Sequence, residues 1–142
     1  MSTFVYTHNT NVDDMYLVQN TKKAMGAKPV IVIVATERPF VPADIEPWAD
    51  AILVSFGVSN NALLDIISGA AEPYGLLPCQ LPADMKTVEE QCEDVPRDMR
   101  CYTDSEGNTY DFAFGLNWKG QINDKRVKKY YGTSPTPRQE LE

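Results

Sequence analysis

Glu37 and Arg38 stand directly behind the β-branched run Pro29-Val30-Ile31-Val32-Ile33-Val34-Ala35. That is the carboxyl end of an expected strand, where open α/β sheets bind their ligands. A carboxylate accepts hydrogen bonds and a guanidinium donates them in a fixed fork, so the pair can read a sugar hydroxyl or a carboxylate. The competing use of the same two charges is a salt bridge that holds the loop. Ser59 and Asn60 follow a second apolar run, Ala51 to Phe56. A hydroxyl and an amide can also bond a sugar, although capping a helix is their simpler employment. The candidate substrate-binding residues are therefore Glu37, Arg38, Ser59 and Asn60.

Bond-breaking chemistry finds no comparable constellation. The chain carries 20 Asp and Glu residues, but Glu89/Glu90 and Glu93/Asp94 are sequence neighbours, which face apart on a helix and read as a solvated acidic face. Asp65 is expected to point outward from its helix. Trp118 and Tyr110 could stack on a sugar ring, yet an aromatic within a sheet is more often core. The one histidine, His8, lies in the lead-in and is expected to be exposed. It completes neither a nucleophile triad nor, with Cys79, Cys92 and Cys101, a zinc set. Gly57-x-Ser59 and Gly115 form neither of the glycine-rich phosphate motifs, so no nucleotide cofactor and no metal are expected. Cys79 reads as a small core residue; Cys92 and Cys101 could pair or remain free thiols.

The elements that must position these residues follow from periodicity. Phe4-Val5-Tyr6 would suit an edge strand. Asn11 can cap a helix over about residues 12–25, with Asp13 and Asp14 in the first turn, Lys22 and Lys23 near the end and Gly26 as the stop. Its apolar positions are Leu17, Val18, Thr21, Ala24 and Met25. Residues 30–35 form a strand whose lack of alternation predicts cover on both faces. Pro42 opens a short helix that Pro47 keeps short. Residues 51–56 form the second strand, and Ser59 or Asn60 caps a helix ending at Gly69. A short strand at residues 77–81 is bracketed by prolines. Beyond it the sequence predicts a short helix from Met85 to Gln91, a hairpin turning at Asp104-Ser105-Glu106-Gly107-Asn108, and a last strand from Phe112 to Trp118.

The fold class is thus α/β, a three-layer α/β/α sandwich with a mainly parallel sheet and a C-terminal β-hairpin region. Residues 1–131 form a single domain and residues 132–142 a disordered tail. A length of 142 residues with 43% hydrophobic content allows one buried core. The net charge of −7 repels phosphate backbones, so no nucleic-acid partner is expected. Lys125-Arg126 and Lys128-Lys129 read as a solvated, partly helical tail. No apolar run approaches the roughly 20 residues of a membrane span, and no signal peptide is visible.

Five stretches, in order, resemble the C-terminal α/β sandwich domain of glycoside hydrolase family 3, the β-glucosidase-type enzymes. Lys28 to Val34, followed by Arg38-Pro39, looks like the family's "KPVIVVL…GRP". Asp50 to Val54 looks like "ADAIL", and Ala62 to Gly69 like "AIADVLFG". Glu72-Pro73-Tyr74-Gly75-Leu76-Leu77-Pro78 looks like "NPSGKLP", and Phe112 to Trp118 like the closing "FGxGLSY". The likeness covers roughly residues 12–118. It departs where Glu37 and Ala113 stand in place of family glycines, and where the turn Gly57 to Asn61 lacks an acid.

The resemblance implies a retaining glycosidase acting on β-glucosides or short β-glucans, which needs two carboxyl groups about 5–5.5 Å apart. In the family the nucleophile lies on an N-terminal (β/α)₈ barrel and the acid/base on a loop early in the C-terminal domain. Both would precede this chain, so no catalytic residue is expected in it. Its partners would be that barrel and the carbohydrate substrate. Its role would be to brace the barrel and line one wall of the pocket, with self-association of the isolated piece through uncovered apolar surface. A periplasmic or extracellular location and a bacterial source are implied likewise. Two other readings compete: a stand-alone small-molecule or protein-binding module, and a pure scaffold of hydrolase ancestry.

Overall fold

A computed structural model describes residues 12–92, 95 and 97–131. The expected strand at Phe4-Val5-Tyr6, the Asn11 cap, His8, the Glu93/Asp94 pair and the tail from Gly132 lie outside the described residues.

Helix α1 spans Val12–Met25 and has the expected ends, Asp13 and Asp14 in its first turn and Lys22 and Lys23 in its last. Gly26 follows at φ +58°, a left-handed stop that glycine adopts without penalty. Strand β1, Ile31–Ala35, and strand β2, Ala51–Ser55, pair in parallel from Ile31 opposite Ala51 to Ala35 opposite Ser55. Between them Pro42–Asp44 and Glu46–Trp48 make two 3₁₀ turns, each with a proline near its start. Asp50 ties this half together. Its backbone N–H donates to the Val30 carbonyl at 2.8 Å, and its carboxylate accepts from Val30 N–H at 2.7 Å and from Lys22 Nζ at 2.5 Å. One side chain thus fastens α1 and the entry of β1 to the start of β2.

Two expectations for this half need correction. Strand β1 is not covered on both faces: Ile31 and Ile33 are exposed on one side. Helix α1 buries none of its residues, and Leu17 is 66% exposed. The apolar spacing is present, but of those positions only Val18 is partly covered among the described residues.

Helix α2, Asn60–Ile67, turns Leu63 into the core and leaves Leu64 exposed. The expected third parallel strand at residues 77–81 does not form. The sheet holding β1 and β2 has two strands. Pro78 and Pro82 remove two donors a ladder would need. Leu77 instead donates to the Phe114 carbonyl at 2.7 Å and accepts from Ala113 N–H at 2.8 Å. Leu81 likewise donates to the Tyr110 carbonyl and accepts from Tyr102 N–H. The segment pairs with the chain's later half, and Leu81 becomes a fully buried side chain.

Helix α3 covers Met85–Glu90, capped by Asp84, whose carboxylate accepts from Thr87 N–H at 2.7 Å. The hairpin about Asp104 forms as expected, with Thr103 bridged antiparallel to Thr109 and Gly107 at φ +85°. The last strand is shorter than expected: β3 is only Leu116–Asn117 and turns back through Trp118-Lys119 into β4, Gly120–Gln121. Helix α4, Lys125–Tyr131, then packs Val127 into the core beside Phe114, Ala113 and Ile122 as buried residues of this half. The basic residues there lie on a helix, as expected, with Lys125, Lys128 and Lys129 exposed and only Arg126 partly buried.

Candidate functional site

In-register parallel pairing delivers the loops after β1 and β2 to the same edge of the sheet. Thr36 N–H continues the ladder by donating to the Ser55 carbonyl at 3.0 Å. Its hydroxyl then closes a tight turn, donating to the Arg38 carbonyl at 2.7 Å while accepting from Arg38 N–H at 3.1 Å. Glu37 and Arg38 are held on this turn with exposed side chains. Among the described residues no ion pair engages either of them, so the salt-bridge reading is not what the geometry supports.

On the neighbouring loop, buried Ser55 accepts from Val58 N–H at 3.2 Å, and Gly57 at φ +84° makes the bend. Ser59, not Asn60, is the cap of α2: its hydroxyl accepts from Ala62 N–H at 3.4 Å. Asn60 is the first helical residue, exposed and with its amide unused by the cap. The two loops that carry the four expected residues therefore leave the same end of the sheet. Three present exposed polar groups there, and Ser59 is occupied in building the loop. Such loops can hydrogen-bond hydroxyls, and Glu37 is the one carboxylate among the four.

Four aspartates are held below the ordinary carboxylate range by their partners. A glycosidase acid keeps its proton because its pKa is raised. Asp50 is held below the ordinary value by the bond from Lys22 and by Val30 N–H, and Asp84 by Thr87 and Arg100. Asp124 is held low by Arg126. Burial works against Asp104, but bonds from the Asn108 amide and backbone, Glu106 N–H and the Tyr110 hydroxyl outweigh it and lower its pKa. All four are ionised acceptors near neutrality.

A second polar group was not singled out from the sequence. Tyr102 donates to Glu46 at 2.9 Å and Tyr110 donates to Asp104 at 3.3 Å, while Gln80 Nε2 donates to Asp111 at 2.8 Å and reaches Cys101 Sγ at 3.1 Å. Burial, then the neighbouring carboxylates, push the Cys101 thiol up to about 11 and the Tyr102 phenol up to about 12, and raise Tyr110 as well. These groups stay protonated; Tyr102 joins the hairpin to the 3₁₀ turn at Glu46, a partner so distant in sequence that it leaves no local signal, while Tyr110 donates within the hairpin. Tyr110 is half-buried and stacks on the core residue Phe114 at 5.2 Å, whereas Trp118 is 59% exposed at the β3–β4 turn and is not core. Cys79, Cys92 and Cys101 are free thiols, with Cys79 half-buried outside any strand. Among the described residues no group of three or more His, Cys, Asp or Glu could hold a metal ion, and no helix is long and apolar enough to cross a membrane.

Comparison with known proteins places this geometry in context. The chain is 38% identical over 104 residues to probable beta-glucosidase C of Aspergillus flavus, and 36% identical over 104 residues to beta-glucosidase C of Emericella nidulans. It is 31% identical over 108 residues to a periplasmic beta-glucosidase/beta-xylosidase of Dickeya chrysanthemi. These alignments cover 70%, 70% and 76% of the chain but only 16%, 16% and 15% of the relatives. The chain thus spans about one sixth of the length of the curated relatives it matches. The two fungal relatives are the more similar, so the expected bacterial source is not supported. No solved structure matches the chain significantly. Residues 7–118 match the C-terminal domain of glycosyl hydrolase family 3, and the chain belongs to that family.

Proposed function

We propose that this chain is the later part of the second domain of a retaining β-glucosidase-type hydrolase. In the full-length protein it braces a (β/α)₈ barrel and lines one wall of the pocket with Glu37, Arg38, Ser59 and Asn60. The substrate is a β-glucoside or short β-glucan, and the nucleophile and acid/base belong to other parts of the polypeptide. The observation that carries this reading is the shared end of the sheet. In a chain of this family, the loops leaving β1 and β2 start from paired strand ends, with Glu37 and Arg38 exposed and, among the described residues, in no ion pair. The exposed face of β1 and the uncovered α1 support a larger, three-layer domain in which further elements of the same polypeptide cover them. They equally support self-association of the piece by itself. A location outside the cytoplasm follows from likeness to the relative named as periplasmic.

The test is hydrolysis of an aryl β-glucoside by this chain and by a longer polypeptide that includes the barrel. The longer form turns over and the chain alone does not; turnover by the chain alone overturns the assignment of the carboxylates. In the longer form, Glu37→Ala and Arg38→Ala raise KM several-fold, about 1 kcal/mol each for a lost hydrogen bond to substrate. An unchanged KM in both variants leaves the domain as scaffold only.

A further inference from the structure

The match to the family ends at Trp118, yet the chain goes on to bury Ile122 and Val127. This later segment returns to the turn Pro73-Tyr74-Gly75. Ile122 N–H donates to the Gly115 carbonyl at 2.9 Å. Gly115 in turn lies against that turn so tightly that a Cβ on it would stand 2.2 Å from the Gly75 carbonyl oxygen. Arg126 supplies the second connection. Its guanidinium carbon sits 3.7 Å from the centroid of the Tyr74 ring, and its Nη1 donates to the Tyr74 carbonyl at 2.9 Å. Asp124 holds the remaining edge of the fork, accepting from Nε at 3.0 Å and Nη2 at 2.8 Å. The same Asp124 opens α4 by accepting from Arg126 N–H at 2.8 Å. The start of the helix and its fastening to the turn are therefore made by one pair of side chains.

We propose that residues 119–131 are a strap that locks the Pro73–Gly75 turn, with Arg126 as its pin, so that the working domain extends beyond Trp118. The turn feeds directly into Leu77, which exchanges two backbone bonds with Ala113 and Phe114. With the pin removed, the turn loses the stacking on Tyr74 and the bond to its carbonyl, and it opens together with α4. Every contact named here lies outside the β1–β2 sheet, so the opening is local. A lysine cannot replace the pin, because an ammonium neither stacks as a plane nor forks across two acceptors.

Hydrogen exchange on the whole chain reads this directly. Arg126→Ala is expected to accelerate exchange of the Leu77, Ile122 and Lys128 amides about tenfold, the loss of one stacked, charge-assisted contact, with the amides of β1 and β2 unchanged. Arg126→Lys gives most of the same acceleration, and Tyr74→Ala a smaller one, since the Tyr74 carbonyl still accepts. Three results would each overturn the proposal: wild-type exchange at those amides in Arg126→Ala, equal acceleration at β1 and β2, or full protection in Arg126→Lys.

Discussion

Ala113 is 2% exposed and sits at φ +66°, a left-handed conformation that costs a residue with a Cβ about 1–2 kcal/mol. The family motif it resembles has glycine at this place, and the dihedral gives the physical reason. Ala113→Gly would relieve that strain but remove a buried methyl worth about 0.8 kcal/mol and loosen the unfolded chain by a further 0.5–1 kcal/mol or so. The expected net change in a urea midpoint is therefore small, within about 1 kcal/mol. Ala113→Val, β-branched at positive φ, is expected to cost more than about 2 kcal/mol by the same measurement. Two residues on, Gly115 is limited by space instead of dihedral. Gly115→Ala must push the Gly75 carbonyl aside and is expected to lower stability by about 1–3 kcal/mol. The sequence announced both positions as parts of one odd string. It could not show that this string and the Pro73/Gly75 turn touch, because only folding brings residue 75 against residue 115.

Elements whose signals are local were legible. Helix α1 begins and ends where its charges and Gly26 say, β1 and β2 lie where the β-branched runs lie, and Ser59 caps α2. Ser59→Ala is expected to cost about 1 kcal/mol in chemical denaturation and to fray the first turn of α2, which carries Asn60. Elements that depend on a partner were misread. Residues 77–81 have strand-like composition, but Pro78 and Pro82 leave too few donors, and the spare groups of Leu77 and Leu81 pair with residues 102 and 110–114. The run 112–118 bends at Ala113, so only Leu116 and Asn117 remain extended against β4. The salt-bridge reading of Glu37 and Arg38 failed for a related reason: the Thr36 hydroxyl bonds Arg38 at both N–H and C=O, and so holds the turn without either charge.

At the scale of the whole molecule, polar groups shifted in opposite directions set the pH range over which the fold holds. Asp50, Asp84, Asp104 and Asp124 all titrate below the ordinary 3.8 when folded. The unfolded chain therefore takes up protons first on acidification, and the stability these groups contribute is present above pH 3.8 and lost as pH falls through their folded values. Cys101 and Tyr102 are shifted the other way, from 9.0 to about 11 and from 10.0 to about 12. Their contribution is complete below pH 9 and disappears as pH rises towards 12, because the unfolded chain ionises first. The apolar surface on α1 and β1 meanwhile favours association of the isolated chain, resisted by its net charge of −7. Added salt screens that repulsion while leaving the fold intact, so light scattering in about 0.5 M salt is expected to show a larger mean mass than in about 0.05 M. A thermal melt should keep its midpoint between about pH 5 and pH 8 and lose it below about pH 4 and above about pH 9. Tyr102→Phe removes one alkaline titration together with the bond to Glu46. It should lower the neutral-pH midpoint and flatten the fall above pH 10, whereas an alkaline limb identical to wild type would show that Tyr102 does not supply it.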